Sequence, residues 1–429
     1  MTPGEPRADG WTGRHSAILA GGLLGAVVLR LALLPTEGLR DDTDQFAGWI
    51  GHIATNGLPN AFDEEITFGP VIAYVWAALG WLEPGFRTAT DASDAWLRTL
   101  IKLPPTLADF GLAAGVGYAL RARPMLAVAG AIGILLHPAV WYVSSWWGQY
   151  ESVYALAALV ATLFAIGGRD GFAAAFLAVA ILAKPQAVPL LLPFVAWFLA
   201  RGGVAGLARA GLVGAATATV IWLPFLAQGG PLNYLAGIGA LQDDVFSILS
   251  LRAWNLWWLV QEYGAEGNFA SDRVSLVGPI TLRLVGYALA AVLGLFVAYR
   301  VWLDARPRTL VLGLAAMTLV AFTFLTTMHE RYAYAAVVFL MLLIGDARLR
   351  WLGVAFGATF TLNLVAAIPA TAELGAVLPV SGWLGVAGSL AMLAVTVATL
   401  WALATPHPAE RRIVATPGGR AVPLEEPGR

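Results

Sequence analysis

Apolar stretches close to the length of one bilayer crossing recur along almost the whole chain. A helix needs roughly 17–25 predominantly apolar residues to span a hydrocarbon core. Stretches of this kind fall at 16–35, 103–120, 124–142, 152–168, 171–183, 187–200, 207–227, 279–303, 308–327, 332–345, 350–369 and 382–404. A shorter one, 67–82, reads as re-entrant or partial. Segments such as 171–183 and 187–200 are short for a full crossing; they extend into their flanks or are broken helices lining a cavity. The composition agrees. Of 429 residues, 59% are hydrophobic and only 12% are charged, against about 25% charged in a soluble domain. A soluble enzyme, a disordered chain and a nucleic-acid binder are thereby excluded. A net charge of -1 offers no basic surface for a phosphate backbone. With no cysteine, disulfides and thiolate metal sites are excluded as well.

Charge placement sets the expected orientation. Arg121 and Arg123, Arg169, Arg201 and Arg209, Arg300, Arg306 and Arg308, and Arg348 and Arg350 occupy short alternate linkers. Arg7 and Arg14 precede the first span, and Arg411, Arg412 and Arg420 follow the last. The positive-inside rule assigns these segments, and both termini, to the cytoplasm. The opposite loops, 36–66, 83–99, 228–278 and 370–381, are longer and acidic, so the elaborated face is extracytoplasmic. The tails 1–15 and 406–429 read as disordered cytoplasmic segments.

The first outer loop holds Arg40-Asp41-Asp42-Thr43-Asp44, followed by Phe46, Trp49, Ile50 and Ile53. The spacing i, i+3, i+4, i+7 makes one apolar helical face. Thr43 or Asp44 suits the N-cap, and Gly57 followed by Pro59 suits the stop. The expected element is an amphipathic helix on the outer membrane surface, with Asp42 and Asp44 at its N-terminus. The bland reading of these carboxylates is a cap and solvated loop charge. A second acidic group, Asp63-Glu64-Glu65, closes the loop before Phe68-Gly69-Pro70; such a spread of carboxylates suits a divalent cation less well, because nothing fixes its geometry.

Polar residues at span ends supply the remaining candidates. Lysine occurs only at Lys102 and Lys184. Lys102 and Asp109 are two helical turns apart on roughly one face, which suits an orienting ion pair as well as a cavity. Trp147, Gln149, Tyr150 and Glu151 combine an interfacial aromatic with hydrogen-bonding groups fit for a sugar or phosphate. Lys184-Pro185-Gln186 sits between two apolar stretches, as a snorkelling anchor or as a broken helix at a cavity. Arg252, Trp254, Asn255, Trp257 and Trp258, preceded by Asp243 and Asp244, suit carbohydrate or a lipid interface equally. His329 and Arg331 offer cationic donors to an anionic oxygen, with Glu330 able to hold one of them. A single His without partners does not make a zinc site.

In order and spacing these segments resemble the GT-C glycosyltransferases, integral membrane enzymes that use lipid-phosphate-linked sugars. The likeness is greatest to the dolichyl-phosphate-glucose-dependent glucosyltransferases of the endoplasmic reticulum and their bacterial relatives. It rests on Asp42 with Trp49, Lys102 through Asp109, and Trp147-Gly148-Gln149-Tyr150-Glu151-Ser152-Val153. It continues through Lys184-Pro185-Gln186 with Leu191-Leu192-Pro193-Phe194, Trp254-Asn255-Leu256-Trp257, and Met328-His329-Glu330-Arg331. The family commonly has Tyr-Pro-Pro where Phe68-Gly69-Pro70 stands here, and no motif matches beyond about residue 346.

The resemblance implies an all-α polytopic fold, a GT-C-like bundle of about 12–13 transmembrane helices. Residues 16–345 would form the catalytic module and 346–405 additional helices. It implies that Asp42 is the catalytic base, with Asp44 as fallback. The phosphate of the donor would meet Arg331, His329, Lys184 and Lys102. Sugar or acceptor would meet Trp147, Gln149, Tyr150, Glu151, Gln186, Trp254, Asn255 and Glu330. The expected reaction is inverting transfer of a hexose, mannose or glucose, from a polyprenyl-phosphate donor to a glycan, lipid or protein hydroxyl. No metal, other cofactor, nucleic acid or obligate protein partner is expected. Many Arg, Ala and Gly residues suggest a bacterial plasma membrane. A transporter or flippase of a lipid-linked saccharide, or a non-catalytic binding subunit, is the alternative. The transporter predicts inverted repeats, which the sequence does not display.

Overall fold

The structure, a computed structural model, describes residues 10–243, 246–264 and 269–405. Asp244, most of the N-terminal tail and the C-terminal tail 406–429 lie outside the described residues. The chain is an all-α polytopic membrane protein. In order its helices are α1 (Gly13–Leu33), α2 (Arg40–Asn56), α3 (Pro70–Leu82), α4 (Ala95–Ala119), α5 (Pro124–Leu136), α6 (Pro138–Trp141), α7 (Glu151–Ile166), α8 (Asp170–Ala183), α9 (Leu191–Trp222), α10 (Gly230–Asp243), α11 (Leu256–Gly264), α12 (Leu282–Leu303), α13 (Pro307–Phe324), α14 (Tyr334–Leu342), α15 (Ala347–Ala367), α16 (Ala372–Val377) and α17 (Gly382–Ala404). A π-helical turn, Tyr142–Trp147, joins α6 to α7.

Every apolar stretch read from the sequence coincides with a helix, 67–82 included. Among the described residues, six helices are long and apolar enough to cross a membrane alone. A seventh is reached if Pro124–Leu136 and Pro138–Trp147, bent by 43°, form one span. Three apolar helices, Pro70–Leu82, Glu151–Ile166 and Asp170–Ala183, are shorter. At 1.5 Å rise per residue such helices extend about 20–24 Å, less than a hydrocarbon core of about 30 Å. The segments expected at 187–200 and 207–227 are two limbs of one helical run, broken at Gly203 by its φ of 59°. The first span begins at Gly13, so the last residues assigned to the N-terminal tail are helical.

Helices differ in how much protein surrounds them. In α13 every residue from Thr309 to Phe324 is buried, which makes it the central helix. In α1 only Ala26 and Arg30 are buried, while Leu24, Val28 and Leu31 are exposed. An apolar helix with such an uncovered face fits lipid contact rather than water. The C-terminal helices are integral to the bundle. α17 packs on α13, α15 and α11, and Trp254 lies directly against Gly388 of α17.

Two expectations for α2 are corrected. The helix starts at Arg40 with Leu39 as its cap, not at Thr43 or Asp44. The Thr43 hydroxyl donates back to the Arg40 carbonyl at 3.0 Å, and Asp44 Oδ1 accepts from the Ala92 amide at 2.8 Å, so neither is free to cap. Asp42 therefore stands in the first helical turn. The apolar face faces protein instead of the membrane surface. Phe46, Ile50 and Ile53 are fully or almost fully buried, and the Phe46 ring lies 5.4–6.0 Å from those of Phe68, Trp76 and Tyr150. The stop at Gly57, with φ 85°, is as expected.

Two short sheets occur in the loops. β1 (Ser250–Leu251) pairs in parallel with β4 (Met328–His329), and β2 (Ser275–Val277) pairs with β3 (Ile280–Thr281) in antiparallel. Arg252 and Thr327, the non-glycine residues with positive φ among the described residues, flank the first ladder.

The Trp254–Gly388 contact gives a test. A β-carbon at Gly388 would lie 2.0 Å from the Trp254 ring. Overpacking of this kind costs about 1–3 kcal/mol, which outweighs the gain of up to about 1 kcal/mol from replacing a helical glycine by alanine. Gly388→Ala is expected to lower the Tm in detergent; an unchanged or raised Tm contradicts this packing.

Candidate functional site

Asp42, in the first turn of α2, faces the turn that precedes α7. Its Oδ2 accepts hydrogen bonds from Trp147 Nε1 at 2.8 Å and Gln149 Nε2 at 2.5 Å. Among the described residues no hydrogen bond reaches its Oδ1. The local sequence explains how two residues separated by only one can grip one oxygen. The π-helical turn ends at Gly148 in the left-handed region, φ 96° and ψ 14°. The amides of Gly148 and Gln149 both close onto the Val143 carbonyl, at 3.1 and 2.9 Å. A side chain at Gly148 would strain this backbone and would approach Lys102 Cγ to 3.0 Å. The chain thus reverses between Trp147 and Gln149 and turns both toward α2.

Glu151 begins α7 and is fully buried. Lys184 Nζ donates to its Oε1 at 2.7 Å, and reaches Gln149 Oε1 at 3.4 Å. Arg331 Nε lies 3.2 Å from the same Oε1, a charge contact without hydrogen-bond alignment. Arg331 Nη1 donates to Glu330 Oε1 at 3.0 Å, and its guanidinium stands 4.9 Å from the Trp147 ring. Lys184 is extended because Pro185 comes next and starts a 3-10 turn, so α8 cannot continue. The ammonium also lies 4.5 Å from the Phe68 ring. That ring is brought in by Gly69, whose amide donates to the Ala183 carbonyl at 3.1 Å. A β-carbon at Gly69 would sit 2.1 Å from the Leu182 carbonyl. Phe68-Gly69 is therefore a close-approach segment, and Pro70 is the first residue of α3.

His329 Nδ1 is 3.7 Å from Glu330 Oε2. Burial, and then the Arg331 charge, lower the His329 pKa and favour the neutral ring. Burial alone would raise the Glu330 carboxyl, but the His329 hydrogen bond and the Arg331 charge outweigh it and lower it to about 2. Burial lowers the Lys184 ammonium to about 8, opposed by Glu151. The cluster thus joins three carboxylates, Asp42, Glu151 and Glu330, to two cations, Lys184 and Arg331. Among the described residues, the buried acceptors Glu151 Oε2 and Gln186 Oε1 have no hydrogen-bond partner. Unpaired buried acceptors are costly and mark places where a further donor is welcome.

The cluster adjoins a cavity of about 420 Å³. Its polar rim includes Gln186, Thr327, His329 and Tyr332, and its walls are apolar, with Val188, Ile238, Leu241, Phe246, Phe322 and Leu325. Concave apolar space with a few polar groups at one end is the usual form of a small-molecule site. Among the described residues no three His, Asp or Glu side chains converge to hold a metal ion.

The sequence-derived candidates divide accordingly. Asp42, Trp147, Gln149, Glu151, Lys184, His329, Glu330 and Arg331 form the cluster, and Gln186 lines the cavity. Asp44 is engaged with Ala92 and Arg40. Lys102 donates to the Thr36 carbonyl at 2.6 Å and braces the approach to α2. It does not pair with Asp109. Seven residues of helix are about 10 Å, and Asp109 is bound to Arg30 instead. Tyr150 donates to the Ile101 carbonyl at 2.8 Å. That carbonyl has no i+4 partner because Pro105 lacks an N–H, so Tyr150 completes α4 rather than facing the cavity. Trp254 Nε1 donates to Val380 and Asn255 Nδ2 to Phe322, both backbone carbonyls, so these side chains hold loop to helix.

No protein-family model matches the chain, and no curated protein is significantly similar to it.

His329 makes stability depend on pH. Its pKa is lowered in the fold, so the contribution is fully present above the ordinary value of 6.5 and is lost as pH falls below it, when unfolding takes up a proton. Glu330 adds a loss only below the ordinary carboxylate value of 4.5, towards about 2. Thermal stability is expected to fall as pH drops below 6.5, and less steeply in His329→Gln. Equal slopes in the two proteins between neutral pH and the carboxylate range contradict a neutral His329.

Proposed function

We propose that the protein is an inverting glycosyltransferase that moves a hexose, mannose or glucose, from a polyprenyl-phosphate donor to an acceptor hydroxyl at the extracytoplasmic membrane face. The observation that carries this reading is a carboxylate held through one oxygen beside buried cations, next to an apolar cavity. These are the three things the reaction needs: a base, a phosphate-binding group and a place for a lipid chain.

In this reading the isoprenoid chain enters the cavity between Leu241, Phe246 and Phe322. Its phosphate meets Arg331 and Lys184, which supply positive donors to the departing oxygen, and His329, whose neutral ring offers a hydrogen bond. Glu151 Oε2 and Gln186 Oε1 accept hydrogens from sugar hydroxyls. Trp147 and Gln149 fix Oδ2 of Asp42, leaving Oδ1 to take the acceptor's proton as its oxygen attacks the anomeric carbon. The new C–O bond forms as the sugar–phosphate bond breaks, the bonding pair leaves with the phosphate, and the anomeric centre inverts. A phosphate monoester neutralised by these cations leaves without a metal. The acceptor is a glycan, lipid or protein hydroxyl, and the setting is a bacterial plasma membrane with both termini cytoplasmic. A carrier of a lipid-linked saccharide is the second reading, favoured by the buried Arg30–Asp109 pair, since charges within spans often serve transport.

Both readings are separated by one assay on protein in vesicles with a polyprenyl-phosphate hexose and candidate acceptors. The parent is expected to cleave the donor and invert the sugar. Asp42→Asn is expected to lose at least about a hundredfold in turnover, the size of a general-base contribution, while still binding donor. Full activity in Asp42→Asn rejects Asp42 as base, and uncleaved donor crossing the bilayer supports the carrier.

A further inference from the structure

Apart from the Asp42 cluster and the cavity, the structure holds a buried polar network around Asp109. Asp109 Oδ2 is 3.0 Å from Arg30 Nη2 and accepts a 2.5 Å hydrogen bond from Ser144 Oγ. Asp109 Oδ1 accepts from the Tyr334 hydroxyl at 3.3 Å. Arg30 Nη1 also donates to the Leu135 carbonyl at 2.9 Å. Arg30, Asp109, Ser144 and Tyr334 are all almost completely buried.

Each partner comes from a different element, and each element leads into the site. Arg30 is on α1, which runs into the loop before Asp42. Asp109 is on α4, whose Ile101 carbonyl is bound by Tyr150. Ser144 is in the π-helical turn that ends at Trp147 and Gly148. Tyr334 opens α14, three residues after Arg331. A π-helical turn is a rare register that tends to occur at functional sites. Relaxing it by one residue would rotate the downstream residues by about 100°, the angle per residue of a helix. Trp147 would then leave Asp42.

Resting on the transferase reading above, we infer that Asp109, Arg30 and Ser144 are positioning residues: they hold the π-helical turn in register so that Trp147 and Gln149 both grip Oδ2 of Asp42. The network meets the donor cluster through backbone, where the Tyr334 amide donates to the Arg331 carbonyl at 3.0 Å. Losing Asp109, Arg30 or Ser144 acts first on the grip of Trp147 and Gln149 on Asp42, so the larger effect falls on kcat.

The test uses Ser144→Ala in the full-length protein, with Arg30→Gln/Asp109→Asn as a second variant that removes the network without leaving an unpaired charge. With a polyprenyl-phosphate hexose as donor, kcat is expected to fall at least about tenfold, with donor KM within about twofold of the parent. The loss is expected to vanish in an Asp42→Asn background, because a residue that acts through Asp42 has nothing left to position once that base is gone. A merely structural role would lower kcat by the same factor in both backgrounds. An unchanged kcat per folded molecule, or an equal loss in both backgrounds, overturns the inference. A parent without transferase activity overturns the reading beneath it instead.

Discussion

A fully buried carboxylate, Glu151, is the constraint around which the site is organised. A lone ion in a low-dielectric interior is strongly disfavoured and must be paired. Lys184 and Arg331 converge on one of its oxygens, and they come from the end of α8 and from the loop before α14. Meeting that demand draws three distant stretches of chain to one point. Gln149 shares Lys184 with Glu151 and also holds Asp42, so the first loop is tied into the same arrangement. The breaks that make this possible are local and chemical. Pro185 ends α8 at Lys184, Gly69 lets Phe68 approach, and Gly148 reverses the chain between Trp147 and Gln149.

Much of this is legible from residue type and position. Charged side chains at the ends of apolar stretches are few enough in this chain that each stands out, and Asp42, Glu151, Lys184 and Arg331 are conspicuous for that reason. Lys102, Tyr150, Trp254 and Asn255 have the same appearance in sequence but serve backbone carbonyls. Nothing in spacing separates a group that completes a proline-broken helix from one that faces a cavity; only the fold decides which orphaned carbonyl lies within reach. The start of α2 departs from expectation because Thr43 and Asp44 are good caps in isolation, whereas here both have partners elsewhere.

Arg30, Ser144 and Tyr334 are hard to single out for another reason. Serine and tyrosine beside apolar residues resemble ordinary core positions, and their role depends on Asp109, which is distant from each of them in sequence. Arg30 carries a usable signal, since a charge inside an otherwise apolar stretch is costly unless it meets a partner. The low charge content of the chain thus takes on a spatial meaning. Two tiers of buried charge are joined through the turn that carries Ser144 and Trp147. One lies around Glu151 beside the cavity, and the other around Asp109 in the helices beneath.

The central claim is that the cluster and cavity receive the phosphate and lipid chain of a polyprenyl-phosphate sugar. The most direct measurement is an experimental structure of the protein with a non-cleavable polyprenyl-phosphate hexose analogue. The account predicts phosphate density within hydrogen-bond distance of Arg331 or His329, the chain between Leu241, Phe246 and Phe322, and the anomeric carbon facing Asp42. Density for the lipid outside this cavity, with no phosphate at the cluster, would contradict it.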